Sequence, residues 1–95
     1  MSTPQQRVHD VTRRLLELLE HGESLTPEAI ELRSELAEAT AEDGHLDEAY
    51  YQVEELFKDA QRHHGPDHES VARARAALEA VREIGMRAAE GAEEG

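Results

Sequence analysis

Side chains that could bind a metal ion are concentrated between residues 59 and 68. They are Asp59, His63, His64, Asp67 and His68. Asp59 and His63 are about one helical turn apart, a spacing at which two side chains of a helix can share a zinc ion. A Gly-Pro pair inside the cluster predicts a turn, and polar residues at a surface turn are normally solvated. We therefore interpret the cluster as a polar surface corner, with a zinc or nickel site as the alternative.

Residues that could act in catalysis lack the surroundings that catalysis requires. None of Ser24, Ser34 and Ser70 lies in the glycine-flanked turn of an activated nucleophile, and the sequence has no glycine-rich phosphate loop. The nearest acid, histidine and serine grouping is Asp67, His68 and Ser70. We interpret it as a helix start, with Asp67 capping the backbone N–H near Ser70. We therefore predict that the protein is not an enzyme and uses no cofactor.

The composition predicts one small helical domain. Of 95 residues, 38% are hydrophobic and only 3% are aromatic, so the core must come from Leu, Val, Ile and Ala on amphipathic helices. The scarcity of β-branched and aromatic runs argues against strands. The expected fold class is all-α, with one domain over residues 1–90 and a disordered acidic tail at 91–95.

The cysteine content and the hydropathy of the chain restrict its environment. Cysteine is absent, which excludes disulfides and thiolate metal sites. No apolar run approaches the ~20 residues of a membrane span, and the first residues lack the basic and apolar parts of a signal peptide. We expect a soluble cytoplasmic protein without membrane contact. Nine arginines against one lysine, with abundant Ala and Glu, indicate a GC-rich bacterial genome.

The net charge of -12 is unevenly distributed along the chain. Residues 1–22 contain three basic and three acidic side chains, whereas residues 23–59 contain twelve acidic and two basic ones, a net charge of -10. An acidic segment of this size repels the phosphate backbone of nucleic acids. The charge pattern therefore predicts no nucleic-acid binding and fits either a basic partner or a solvated face that keeps the protein soluble.

Helix boundaries can be placed from capping residues and glycines. Thr3 and Thr26 each precede a proline, as an N-cap precedes the first helical residue, and Asp47 is predicted to cap the third helix. Glycines at 22, 44 and 65 are predicted to end helices. We expect helices over about residues 4–20, 27–43, 47–64 and 68–90, with Gly85 weakening or ending the last one. Apolar residues at helical spacing predict the buried faces, which include Leu15, Leu18, Ile30, Leu36, Ala37, Ala49, Val53, Leu56, Val71, Ala77 and Val81.

The chain repeats itself after 41 residues. Residues 26–30 align without a gap with residues 67–71, residues 36–39 align with 77–80, and Gly44 aligns with Gly85. A repeat of this length is typical of helical hairpins that stack on one another, because one hairpin alone cannot bury its apolar face. The short link after Gly44 requires the second and third helices to fold back on each other.

Two motifs resemble tetratricopeptide repeats of the long kind found in kinesin light chains. They are Leu36-Ala37 followed by Gly44 and Glu48-Ala49, and the junction Gly65-Pro66-Asp67-His68. The resemblance covers about residues 26–85, and the first helix is similar to the second helix of a preceding repeat. It implies four antiparallel helices stacked as a short right-handed superhelix.

The resemblance also implies a protein-binding module whose concave groove is lined by the first helix of each pair. The positions that match this groove are Glu31, Ser34, Glu35, Glu38 and Glu42 on the second helix, and Arg75, Glu79 and Arg82 on the fourth. The acids would accept a basic segment and the arginines an acidic flank, so the expected ligand is a protein or peptide of basic or mixed charge. The alternative is a self-associating module, a homodimer formed through the end helices, whose outer faces further repeats would cover in a longer array.

Overall fold

The structure, a computed structural model that describes residues 3–94, consists of four helices joined by short turns. They are α1 (Pro4–Glu20), α2 (Pro27–Glu42), α3 (Leu46–His64) and α4 (Glu69–Glu94). The all-α fold class is confirmed, and no strand occurs in this range. No helix within it combines the length and the hydropathy that crossing a membrane requires.

The last helix is longer than the sequence predicts. α4 continues through Gly85 and Gly91 to Glu94, whereas we expected it to end near residue 90 and a disordered tail to follow. Ala and Glu, both good helix formers, surround Gly91 and offset part of the cost of about 1 kcal/mol that a helical glycine carries. Residue 95, the end of the predicted tail, lies outside the described residues.

The two predicted threonine caps are confirmed. The Thr3 hydroxyl accepts a hydrogen bond from the Gln6 N–H (3.1 Å), and the Gln6 side chain accepts one from the Thr3 N–H (3.1 Å). The Thr26 hydroxyl accepts a hydrogen bond from the Ala29 N–H (3.2 Å). Each cap satisfies an N–H that the first helical turn leaves without a partner, so a threonine before a proline marks these two helix starts correctly.

The predicted cap of α3 is wrong. The helix begins at Leu46 with His45 as its N-cap residue, and no side chain bonds to its free N–H groups. Gly44, with a φ of 94°, completes the turn so early that Leu46 is already helical. Asp47 therefore lies inside the first turn, where its charge interacts favourably with the helix dipole without capping it.

The predicted cap of α4 is also wrong. Asp67 lies inside a turn that the His68 N–H closes by donating to the Gly65 carbonyl (3.3 Å). The Ser70 N–H instead donates to Nδ1 of His68 (3.0 Å). The imidazole of His68 thus takes the capping role that an aspartate usually has.

α2 is the central helix of the fold, and it contacts all three others. α4 also contacts α3, whereas α1 touches neither α3 nor α4 within the described residues. The alanines Ala29, Ala37, Ala39 and Ala41 of α2 are at most 2% exposed. Helix axes approach to about 8–10 Å where the side chains between them are small, so these alanines let three helices surround one.

The buried side chains form three groups. Two of them fill the space between α2, α3 and α4, and their largest members are Ile30, Val53, Leu56, Val71 and Val81. The third group joins α1 to α2 through Leu15 and Leu18. All seven of these residues were predicted to be buried, because helical spacing identifies the apolar face of an amphipathic helix.

Gly85 lies inside α4 at its contact with α3. A Cβ atom at this position would collide with the hydroxyl oxygen of Tyr50 and would lie 3.3 Å from its Cζ. The Tyr50 ring packs against the buried group around Val53. Gly85 therefore does not end the helix, and the absence of a side chain there makes room for Tyr50.

Gly85→Ala should lower the free energy of unfolding by about 1 kcal/mol, because displacing Tyr50 outweighs the gain in helix propensity. In a Tyr50→Phe background the hydroxyl is gone, so the same substitution should be neutral or stabilising. Urea denaturation followed by circular dichroism measures both effects. Gly91→Ala is the matched control, since nothing lies within 4 Å of a Cβ added there, and it should stabilise slightly. An equal loss from Gly85→Ala in both backgrounds would contradict the role of the hydroxyl contact.

Candidate functional site

Five glutamates form a line along the open side of α2. They are Glu28, Glu31, Glu35, Glu38 and Glu42. Their spacing of three or four residues places successive members one turn apart on the same face. We call this line the glutamate stripe. Like charges at this spacing repel each other, so the stripe requires positive charge from outside α2.

Two arginines of α1 neutralise the ends of the glutamate stripe. Arg14 Nη2 lies 2.6 Å from Glu28 Oε1, and Arg7 Nη1 lies 2.9 Å from Glu42 Oε2. The hydrogen bond to Glu28 is the main reason why the pKa of Arg14 is raised above its ordinary value. Both pairs are exposed to solvent, which limits their contribution to stability. They still align α1 along α2, because Arg7 meets the end of α2 and Arg14 its start.

Arg73 of α4 neutralises the middle of the stripe. Its Nη1 and Nη2 lie 3.2 and 2.9 Å from the two carboxylate oxygens of Glu38, and its Nε donates to Glu31. The hydrogen bonds to Glu38, and after them those to Glu31, raise the pKa of Arg73, although burial opposes this shift. Arg73 is 26% exposed and Glu38 19%, so solvent screens this pair less than the pairs made by α1.

Glu35, at the centre of the stripe, is the member that has no ion pair among residues 3–94. Its side chain is half-buried. The other four glutamates lie on both sides of it along the helix, and each of them has an arginine partner. Glu35 is therefore the carboxylate of the stripe that remains available to a cation from outside.

An open cavity of about 330 Å³ lies between α2 and α4 beside the stripe. Its lining residues are Glu38, Glu42, Ala80, Glu83, Ile84 and Arg87. We call it the α2–α4 groove. Ala80 and Ile84 provide apolar surface, and the carboxylates of Glu38, Glu42 and Glu83 line the same cavity. This arrangement can take up an alkyl chain that ends in a positive charge, as lysine and arginine side chains do.

The sequence-predicted site residues of α2 do not all share this face. Glu31, Glu35, Glu38 and Glu42 lie in the stripe, whereas Ser34 is fully buried. The Ser34 hydroxyl oxygen has no hydrogen-bond partner within the part of the chain that the structure describes. Ser34 therefore faces the interior, where its small size serves packing.

The predicted residues of α4 lie apart from the α2–α4 groove. The guanidinium carbon of Arg75 is 5.5 Å from the centroid of the Phe57 ring, so Arg75 is directed toward α3. Arg82 comes seven residues later and thus occupies the same side of α4. Glu79 is exposed and lines no part of the groove. The involvement of these three residues in binding stays a prediction, and the structure does not bring them together with the stripe.

Sequence reasoning missed the basic residues that do meet the stripe, above all Arg73. Arg73 lies four residues before Ala77, so it borders the small-residue face of α4. An arginine next to such a face can reach across to a neighbouring helix. That pattern is visible in the sequence. The glutamates that Arg73 contacts cannot be identified from the sequence, because only the tertiary packing places α4 beside α2.

The histidine corner is held together by hydrogen bonds to the backbone. Nε2 of His64 lies 2.6 Å from the Leu25 carbonyl oxygen, and Nδ1 of His68 accepts from the Ser70 N–H. The two imidazoles stack with their centroids 4.3 Å apart. Across residues 3–94 the structure places no three His, Asp or Glu side chains together as a metal site. The geometry gives His64 and His68 structural roles, as contacts between α3, the α1–α2 turn and the start of α4.

The chain matches no protein-family model, no curated protein and no solved structure. The four helices of the structure establish the all-α fold class, and the geometry of this chain is the basis for any functional proposal.

Arg73→Ala should lower the free energy of unfolding by about 1–3 kcal/mol, because Glu31 and Glu38 would lose the partner that offsets their mutual repulsion. Arg73→Lys should recover only part of the loss, since an ammonium group cannot form the same fork of hydrogen bonds. Urea denaturation measures both variants. Arg82→Ala is the control: Arg82 is exposed on the same helix, has no ion pair in the described range, and should change stability by less than about 0.5 kcal/mol. Equal losses for the two alanine variants would show that the pairs of Arg73 contribute nothing specific.

Proposed function

We propose that the protein is a non-enzymatic, tetratricopeptide-like module that binds a protein or peptide of basic or mixed charge in the α2–α4 groove. In this assignment α1 corresponds to the second helix of one repeat, α2 and α3 form a full repeat, and α4 begins the next. The helices then stack as a short right-handed superhelix with α2 and α4 on its concave side.

The contacts between helices support the repeat assignment. α2 packs against its neighbours in the sequence and also against α4, which lies one repeat later. The 41-residue shift maps the five stripe positions onto positions 69, 72, 76, 79 and 83 of α4, and all five are exposed. Equivalent faces of α2 and α4 are thus turned toward solvent, as stacking of similar units requires.

The observation that carries the binding proposal is the combination of carboxylates and apolar surface in the α2–α4 groove. Ala80 and Ile84 can pack against the methylene groups of a lysine or arginine, while Glu83 and Glu42 of the same groove can accept hydrogen bonds from its charged end, Glu42 in competition with Arg7. Glu35 continues the acidic surface along α2. A segment with two or more basic residues would therefore follow the stripe better than one with a single charge.

An arginine of α4 in the groove would also allow the ligand to carry an acidic residue. Arg87 lines the same groove and forms only a long, exposed pair with Glu83 (3.5 Å). An acidic residue next to the basic one in a ligand could replace that weak pair. We therefore expect basic residues of the ligand to lie over α2 and any acidic residue to lie toward Arg87.

Selection of a random-peptide library on the immobilised protein should enrich peptides that contain several Lys or Arg residues. A labelled member of that pool, followed by fluorescence anisotropy, should bind about threefold to tenfold more weakly to Glu35→Lys, because an ion-pair partner becomes a repelling charge. The melting temperature of this variant should not fall, since Glu35 is repelled by its neighbours in the stripe.

Glu54→Lys supplies the matched control for this measurement. Glu54 is exposed on α3, and its replacement changes the net charge by the same amount. A ligand held in the groove should bind this variant within about twofold of the unsubstituted protein. Selection of acidic or purely apolar peptides, or equal weakening by both variants, would rule out the α2–α4 groove as the binding surface.

A further inference from the structure

The outer side of α1 carries large apolar side chains that no other helix covers. Leu16 is 53% exposed and Leu19 is 43% exposed. Within residues 3–94, α1 contacts only α2, so this side lies open next to α3. A surface of this kind on a small acidic protein indicates that something packs against it.

A groove lies between α1 and α3 over α2, and Leu15, the neighbour of Leu16 in the sequence, is its α1 residue. Its volume is about 340 Å³, and it is lined by Leu15, Arg33, Leu36, Tyr51, Gln52, Glu55 and Asp59. We call it the α1–α3 groove. Leu15 and Leu36 form its apolar floor, and Tyr51, which is 69% exposed, forms its rim. A leucine side chain inserted there would contact Leu15, Leu36 and the Tyr51 ring.

The α1–α3 groove also contains a hydrogen-bond acceptor that is not satisfied. The side-chain oxygen of Gln52 is buried and has no hydrogen-bond partner among the described residues. Buried polar atoms in folded proteins are almost always paired. The atom lies below the groove surface, so an occupant would pack against the apolar lining and would not contact this oxygen.

We propose that the occupant is a second copy of this chain. α1 carries the exposed leucines and contributes Leu15 to the groove, so two copies related by a two-fold axis can each insert Leu16 and Leu19 into the groove of the other. Such an isologous interface uses the same surface twice and closes on itself. The dimer therefore needs no further partner and no conformational change in either chain.

The charge distribution identifies α1 as the helix that can approach another copy. The chain carries a net charge of -12, yet the charges of residues 1–22 cancel. Arg13 is exposed on α1 and has no ion pair in the described part of the chain. The opposite wall of the groove presents Glu55, which forms only a long, exposed pair with Lys58 (3.5 Å). Arg13 of a second copy can donate to Glu55, so the two surfaces are complementary in charge as well as apolar.

Sedimentation equilibrium over about 5–500 µM should show a monomer–dimer equilibrium, because association of subunits depends on concentration. Leu16→Glu and Leu19→Glu should each weaken dimerisation at least about tenfold, with the helical circular dichroism signal unchanged since both side chains are already exposed. Met86→Glu is the control, as Met86 is a 64% exposed apolar residue on α4, and its dimer should be unaffected. A monomer at every concentration, or equal weakening by Met86→Glu, would overturn the proposal.

A charge exchange tests the orientation of the two copies without altering the apolar surface. Arg13→Glu and Glu55→Arg should each weaken the dimer, and the combined variant should recover most of the loss. Losses that simply add would overturn this orientation. At about 1 M NaCl, where the Debye length is about 3 Å, the unsubstituted dimer should persist because its centre is apolar, and its dissociation there would contradict the proposed packing. Binding of a basic peptide to the glutamate stripe is a separate property and should be lost at that salt concentration.

Discussion

The packing of three helices around α2 is the constraint from which the other features of this structure follow. A helix with three neighbours has only one arc of its surface left for solvent, and α2 meets this constraint with alanines toward its neighbours. All five of its glutamates must then share the remaining arc. The glutamate stripe is thus a geometric consequence of the central position of α2, and the arginines on α1 and α4 compensate the repulsion that results. Glu35 is the member of the stripe that forms no ion pair with these arginines within the described residues.

The local features of this fold could be predicted from the sequence, whereas the contacts between helices could not. Thr3 and Thr26 act through hydrogen bonds within three residues, so their roles can be recognised without the tertiary structure. Gly85 shows the opposite case: in isolation it predicts a weakened helix, and only the position of Tyr50 explains why glycine is needed. The same distinction explains the site: helical spacing alone places Glu31, Glu35, Glu38 and Glu42 on one face of α2, whereas their partner Arg73 was missed.

The two proposed surfaces differ in the physical interaction that they use, and they lie on different helices. The α2–α4 groove depends on carboxylates that face solvent, so its attraction for a basic ligand falls as salt is added. The α1–α3 groove depends on apolar area and lies beside the segment whose charges cancel. Arg7 and Arg14 connect the two surfaces, since they hold α1 in place while neutralising the ends of the stripe. A dimer formed through α1 would leave the stripe of each copy accessible.

The repeat relation also explains why α4 is not a second acidic helix. The 41-residue shift takes the five stripe positions of α2 to Glu69, Ala72, Ala76, Glu79 and Glu83. α2 can carry five glutamates on one face because helices on both sides supply arginines. α4 receives no such compensation from α2, because the arginine of α2, Arg33, lies against Ser24 and Asp59. Two alanines in place of glutamates reduce the repulsion that would otherwise go uncompensated. The surface along α2 and α4 is therefore most acidic over α2 and becomes mixed in charge over α4, which carries Arg73 and Arg87, so a ligand in the proposed groove would meet two different edges and could bind in one direction.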